Sequence, residues 1–202
     1  MDTIEIEPPY VIIKPEVSEE EFYRTSREDS DWEYLDGRLV MHSPASNRHE
    51  DLFGFLQFLM RGFVAERRIG FVRGSRTPMR LDERWSPEPD LLFVLEEHRS
   101  RMGETRLEGP ADWVVEICSK SDPDLDYREK LPRYRSAGIP EVWIVDPFRN
   151  HVHVERAGAA PQIVRSGRID GAVAPGFWIE ADWLWQAELP AALGCLLRIL
   201  GR

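Results

Sequence analysis

Residues 112–118 (DWVVEIC) and 141–146 (EVWIVD) are apolar at both odd and even positions, the pattern of strands covered on both faces. Between them, residues 124–137 read as a helix that ends at Gly138. A strand, a helix and a second strand within one short stretch form a crossover, so the strands run parallel and the connection is right-handed. This unit fixes the class as α/β, with at least one parallel pair in the sheet.

The rest of the chain supplies antiparallel neighbours and covering helices. Ser18 and Glu21 have capping-box spacing, which predicts a helix over residues 18–27. Residues 32–35 and 38–41 flank Asp36-Gly37, the dipeptide of a type I′ hairpin turn. Ser46 can cap a helix whose apolar positions, Leu52, Phe55, Leu56, Leu59, Met60 and Phe63, recur at three- and four-residue spacing, with Gly70 as its stop. Strands are expected at 70–73, 77–81 and 90–94, the last after Pro89, where no ladder N–H is needed. Residues 96–108 read as a short helix and loop, 151–155 and 162–165 as antiparallel edge strands, and Trp178, Trp183, Trp185 and the leucine-rich tail as a covering segment with a terminal helix. The expected organisation is a loosely ordered arm over residues 1–17 and one mixed-sheet domain over 18–202.

Composition narrows the function classes. Hydrophobic residues at 42% and charged residues at 31% belong to ordinary globular domains. The apolar stretches are too short or too interrupted for the roughly 20 residues of a bilayer span, and the first residues, MDTIEIEPPY, are acidic where a secretory leader needs cations. Cys118 and Cys195 lack metal-ligand spacing. A cytoplasmic protein with free thiols is expected. The net charge of -10 argues against diffuse adhesion to a polyanion. Locally, however, Arg61, Arg67, Arg68, Arg73, Arg76, Arg80 and Arg84 outnumber Glu66, Asp82 and Glu83. This stretch is either a phosphate-holding face, with Arg73 and Arg76 as nucleic-acid contacts, or a solvated helix end and hairpin.

Glu116 is the chemical anomaly. Period-two alternation puts it beside Val114 and Cys118, with Trp113, Val115 and Ile117 on the opposite face, so both faces are apolar. A carboxylate there requires a cation, a metal or a donor network, and shifted carboxylates of this kind cluster at active sites. A structural salt bridge is the alternative. Asp90, at the mouth of a strand, would complete a pair of carboxylates of the type that holds Mg²⁺ while leaving positions for water and phosphate. Lys130, on the crossover helix, can reach the same end of the strands; only Lys14, Lys120 and Lys130 are lysines in a chain that otherwise uses arginine. The bland reading pairs Lys130 with Asp126 one helical turn earlier. Lys120 competes, but four extended residues separate it from Glu116 by roughly 13 Å.

These residues fall in an ordered series: Trp32-Glu-Tyr-Leu-Asp-Gly-Arg-Leu-Val, Ser43-Pro with His49 opening a helix, Pro89-Asp90, Val115-Glu116-Ile-Cys-Ser119, Asp126-Tyr-Arg-Glu-Lys130 with Tyr134, and Gly138-Ile-Pro-Glu-Val-Trp-Ile-Val-Asp146-Pro. The series resembles the Uma-type family of restriction-endonuclease-like proteins, within the PD-(D/E)XK nuclease superfamily, over about residues 18–156. The resemblance implies a restriction-endonuclease-like mixed sheet flanked by helices. It also implies a Mg²⁺-dependent phosphodiesterase site, with Mn²⁺ as a substitute, in which Asp90 and Glu116 are the metal ligands and Lys130 the catalytic lysine. His49, Ser119, Asp126 and Tyr134 match supporting positions, although a capping histidine and a packed tyrosine are the structural readings of His49 and Tyr134. The superfamily pattern has lysine two residues after the acid, where this chain has Cys118. Pro132 would interrupt a continuous helix at the carbonyl of Arg128 or mark a new helical start.

DNA is the substrate that the resemblance implies, hydrolysed by an endonuclease. A noncatalytic nuclease fold serving in binding or assembly, with Glu116 and Lys130 as a buried ion pair, is one alternative; a hydrolase of small substrates is another. A homodimer is expected from Trp178, Trp183, Trp185 and the stretch 189–200, and completion of the monomer core is the competing use of these residues. The alternation of His151 and His153 reads as the solvent face of an edge strand.

Overall fold

The computed structural model describes residues 7–25, 32–74 and 77–202. Its first part is a small antiparallel sheet with two helices: β1 (Val11–Lys14), α1 (Glu19–Thr25), β2 (Trp32–Leu35), β3 (Arg38–His42) and the long α2 (Asn47–Arg67). Then come β4 (Gly70–Gly74), β5 (Met79–Arg80), β6 (Trp85–Ser86), β7 (Leu91–Leu95), β8 (Leu107–Glu108) and β9 (Trp113–Ile117). A π-helical turn, Asp126–Lys130, runs into α3 (Leu131–Ser136), followed by β10 (Glu141–Asp146), β11 (His151–Arg156), β12 (Gln162–Val164), β13 (Arg168–Asp170), β14 (Trp178–Glu180) and α4 (Ala192–Leu200).

The central sheet has the order β12-β11-β10-β9-β7-β4. Only β9 and β10 are parallel, as the crossover requires, with Glu116 opposite Ile144. A second sheet, β1-β3-β2-β6, carries the hairpin, whose Asp36 and Gly37 both have positive φ (51° and 73°), the type I′ geometry. One face of the central sheet, with Trp113, Val115, Ile117, Trp143 and Val145, packs on α2 and the C-terminal segment. The other, with Val114, Cys118, Val142 and Ile144, packs on Leu131 and Tyr134 of α3. Glu116 belongs by parity to this second face.

Several expectations change. Residues 11–14 of the N-terminal arm pair antiparallel with β3. The strand expected over 77–81 shrinks to Met79–Arg80, pairs in parallel with β8 and stands outside the central sheet; Pro78 has no N–H for a ladder. Gly70 does not end α2. Arg68, at φ 54°, forms the left-handed cap, and Gly70 is needed because a Cβ there would lie 2.1 Å from the Val94 carbonyl oxygen. His151 is buried rather than solvent-facing, because Tyr127 of the π turn covers it and shares a 3.0 Å hydrogen bond with its Nε2.

Trp183 is 5% exposed, edge-on to Phe55 and tilted against Trp178, inside the cluster that contains α2. Trp178 and Trp185 pack on the same cluster. The aromatic residues that suggested a dimer are thus used within the chain, while Leu193 and Leu197 of α4 remain exposed. Trp183→Ala should cost about 3–5 kcal/mol. In urea unfolding this loss should be independent of protein concentration, because the contacts removed are intramolecular. Among the described residues no helix is long and apolar enough to cross a membrane.

Candidate active site

Asp90 and Glu116 come from adjacent antiparallel strand ends. Leu91 pairs with Val115, so Asp90 at the start of β7 lies beside Glu116 near the end of β9. The Asp90 carboxylate accepts the Ile117 amide at 2.7 Å through Oδ2, and the Asp90 amide makes a long 3.4 Å approach to Glu116 Oε2. His49, in the first turn of α2, places Nε2 3.4 Å from Asp90 Oδ1. The histidine is therefore not a capping side chain. Ser46 performs that task by accepting the His49 backbone N–H, which orients the first turn towards Asp90. Burial would push the His49 imidazole down, but the bond to Asp90 and its charge raise it above the ordinary histidine value.

Lys130 arrives from the opposite direction. The Leu131 amide bonds to the Asp126 carbonyl, five residues back, so the segment is wider than an α-helix just before Pro132. The proline then falls in the first turn of α3, where its missing N–H costs no helical bond. Wide turns of this kind recur at functional sites. The turn buries Lys130 and directs Nζ to Glu33 Oε2 at 2.9 Å, Glu116 Oε1 at 3.3 Å and Asp126 Oδ1 at 3.4 Å. The helix-spacing pair with Asp126 and the reach to Glu116 thus both occur. Lys120 is exposed and does not join the cluster.

Glu33 and His42 were not singled out from the sequence. In the hairpin Glu33 sits opposite Val40, diagonal to His42, and the two side chains meet at 3.0 Å. Glu33 also accepts the Glu88 amide at 3.1 Å. The available signal was a carboxylate sharing a strand face with Leu35, which is buried. Tyr134 is packed and also polar in function, since its hydroxyl donates to Glu116 Oε1 at 2.5 Å. Ser119 borders the pocket, but its hydroxyl pairs with Ser121 at 2.8 Å.

One ammonium among three buried carboxylates cannot neutralise all of them. Burial raises Glu33, but Lys130 and His42 overcome it and hold the group at about 2. Burial pushes Glu116 well above the carboxylate range, with the charges of Asp126, Asp90 and Glu33 adding to it against the opposing pull of Lys130. Asp126 is raised by burial too. Lys130, which burial would lower, is held charged well above its ordinary value by Glu116, Glu33 and Asp126. Burial raises the Cys118 thiol, which stays a protonated, apolar neighbour of Glu116 at the end of β9.

Glu33, His42, His49, Asp90, Glu116, Asp126 and Lys130 line a cavity of about 290 Å³ that also includes Ser43, Glu50, Glu88, Asp122 and Leu125. Glu116 Oε1 is occupied by Tyr134 and Lys130, whereas among the described residues Oε2 has only the long contact from Asp90, which leaves it able to accept more. The donor set of hard carboxylate oxygens suits a cation that keeps several waters. Among the described residues, no three His, Cys, Asp or Glu side chains converge as a ready-made metal cage.

The arginine stretch is less available. Arg80 pairs with Glu19 and Arg84 with Asp36. Arg73 lies over the Phe71 ring and bonds to the Val72 carbonyl, away from the cavity lining. Arg76 lies outside the described residues.

Among solved structures, a putative nuclease belonging to DUF820 from Anabaena variabilis superposes with a TM-score of 0.71 at 16% identity, covering 84% of this chain and 97% of that one, and so shares the fold. No curated protein matches. The family profile described as "Putative restriction endonuclease", Uma2, matches residues 19–182, and over that span the chain belongs to the Uma2 family.

Proposed function

We propose that this protein is a Mg²⁺-dependent endonuclease that hydrolyses DNA phosphodiester bonds, with Asp90 and Glu116 as metal ligands and Lys130 as the catalytic lysine. The observation that carries the reading is the convergence of Asp90 and Glu116 on one cavity, which Lys130 also lines. A bound Mg²⁺, or Mn²⁺ in its place, would supply positive charge to the scissile phosphate and acidify a bound water. The chain's own residues do the rest. Ile117 N–H and His49 fix the two oxygens of Asp90, while Tyr134 and Lys130 hold one oxygen of Glu116 and leave the other towards the pocket. Lys130, kept charged by three carboxylates, can orient the attacking water or stabilise developing negative charge. Asp126 and Glu33 hold the ammonium in place. The acidic lining supports the cation requirement, because a phosphate entering beside so many carboxylates needs an intervening positive charge.

Supercoiled plasmid incubated with the protein and Mg²⁺ should be nicked or linearised, and EDTA should stop the reaction. Failure to cut plasmid or oligonucleotide DNA with either Mg²⁺ or Mn²⁺ would end this reading. The noncatalytic alternative has one specific support, the saturation of Lys130 by three carboxylates. It requires that no divalent ion bind at Asp90 and Glu116. Action in the cytoplasm and assembly as a homodimer complete the proposal.

A further inference from the structure

Beside the candidate active site, at the same carboxyl ends of β9 and β10, lies a second depression of about 310 Å³ lined by Arg48, Cys118, Phe148, Asn150 and Trp185. It sits at the lower end of the roughly 300–1,000 Å³ range of small-ligand pockets. The two are lined by neighbouring residues of the chain: Cys118 lies between Ile117 and Ser119 of the first pocket, and Arg48 precedes His49. The parallel pair makes this edge a natural binding crevice.

Phe148 is 51% exposed, an unusual position for a large apolar side chain beside a polar cleft. Its placement is enforced. The buried Asp146 carboxylate accepts the N–H groups of both Phe148 and Arg149 at 2.9 Å and also binds the Arg149 guanidinium, so the turn after β10 is pinned from inside. Trp185 gives the depression a second aromatic wall, anchored by its indole N–H on the Arg165 carbonyl. Arg48 differs from Arg80 and Arg84 in having no carboxylate partner among the described residues; its contact is the Leu184 carbonyl. Two aromatic faces and an uncompensated guanidinium are the elements that hold a nucleotide, base on the rings and phosphate on the arginine.

We propose that this depression is a subsite for an unstacked nucleobase next to the cleaved bond, so that single-stranded or frayed DNA is the substrate class. The proposal rests on the nuclease reading above. Charge favours this substrate over an intact duplex. Several surface arginines are tied to carboxylates and the chain carries -10 overall, which leaves little for broad contact with two phosphate backbones. Stacking does not need that basic surface, but it does need a base out of the duplex.

Fluorescence anisotropy with a labelled oligonucleotide, with Ca²⁺ supplied in place of Mg²⁺ to offset the acidic cavity and with strand integrity checked on a gel, tests the subsite apart from catalysis. The single strand should bind about tenfold or more tightly than its duplex. Phe148→Ala should weaken single-strand binding by roughly five- to tenfold or more and leave the duplex unchanged. A sugar-phosphate oligomer without bases should bind wild type and Phe148→Ala equally. Arg48→Gln should flatten the salt dependence for the single strand by roughly one phosphate contact. Circular dichroism checks the fold of each variant, and Phe148, being exposed, carries no core. Equal affinity for single strand and duplex, no effect of Phe148→Ala, or no binding at all would overturn the subsite. Cleavage with Mg²⁺ by a protein that fails these tests would sink the subsite alone, whereas single-strand binding without cleavage under any divalent ion would sink the nuclease reading.

Discussion

Glu116→Gln should abolish DNA cleavage, by at least about 10³-fold, and at the same time raise the stability of the metal-free protein at pH 8. The two effects have one cause. Burial and the neighbouring charges of Asp126, Asp90 and Glu33 push the Glu116 carboxyl well above its ordinary range, so its ionised form is unfavourable in the folded protein unless a cation is present. An amide of the same shape can keep its oxygen towards Tyr134 and Lys130 while removing that charge. Asp90→Asn should be equally inactive without being stabilised, because the Asp90 carboxylate accepts the Ile117 N–H and faces a histidine whose charge it favours. Chemical denaturation and plasmid cleavage on the same preparations separate the two readouts. Retained activity in Glu116→Gln, or a loss of several kcal/mol in stability, would contradict the assignment.

How far the site was legible follows from which physical signal each residue carried. Glu116 announced itself because an ionisable group in a strand apolar on both faces violates the cost of desolvation. Asp90 followed from its place at a strand mouth and from the family motif, and Lys130 from a crossover helix that packs back over the sheet. Glu33 gave a weaker signal: a hairpin strand has one face that is free until something packs on it, and nothing local revealed that the π turn would bring an ammonium there. Pro132 pointed to an interruption, but the wider turn that resolves it depends on the tertiary position of Lys130. The short β5 and the left-handed Arg68 were missed for a related reason, that tertiary pairing overrode the local pattern.

The positions that the sequence left ambiguous are also those where one group serves two purposes. Tyr134 fills the core and donates to Glu116, and Asp126 is both a helix-spacing partner and a buried charge. A role read from spacing alone names one of these and misses the other. The geometry shows why both are needed. The cluster holds Lys130 charged with carboxylates, while Glu116 Oε2 has the long contact from the Asp90 amide.

Lys130→Met should be the most destabilising change in the cluster, about 3–5 kcal/mol at pH 8, because removing one partner of a buried ionic network leaves uncompensated charge behind. The loss should shrink as the pH is lowered. In the wild type, Glu33 is depressed from 4.5 to about 2, so the stability it contributes is complete above 4.5 and is lost only as the pH falls through about 2. Glu116 and Asp126 are raised instead, so the stability they withhold near neutrality returns as they take up protons on mild acidification. Without the ammonium, Glu33 loses its largest opposing charge and keeps His42 against burial, while Glu116 and Asp126 favour protonation in the folded state still more strongly. The variant should therefore gain more than the wild type between pH 8 and pH 5. Urea unfolding at both pH values measures the gap. A gap that stays constant would mean that Lys130 stabilises by packing its methylenes rather than by compensating Glu33, Glu116 and Asp126.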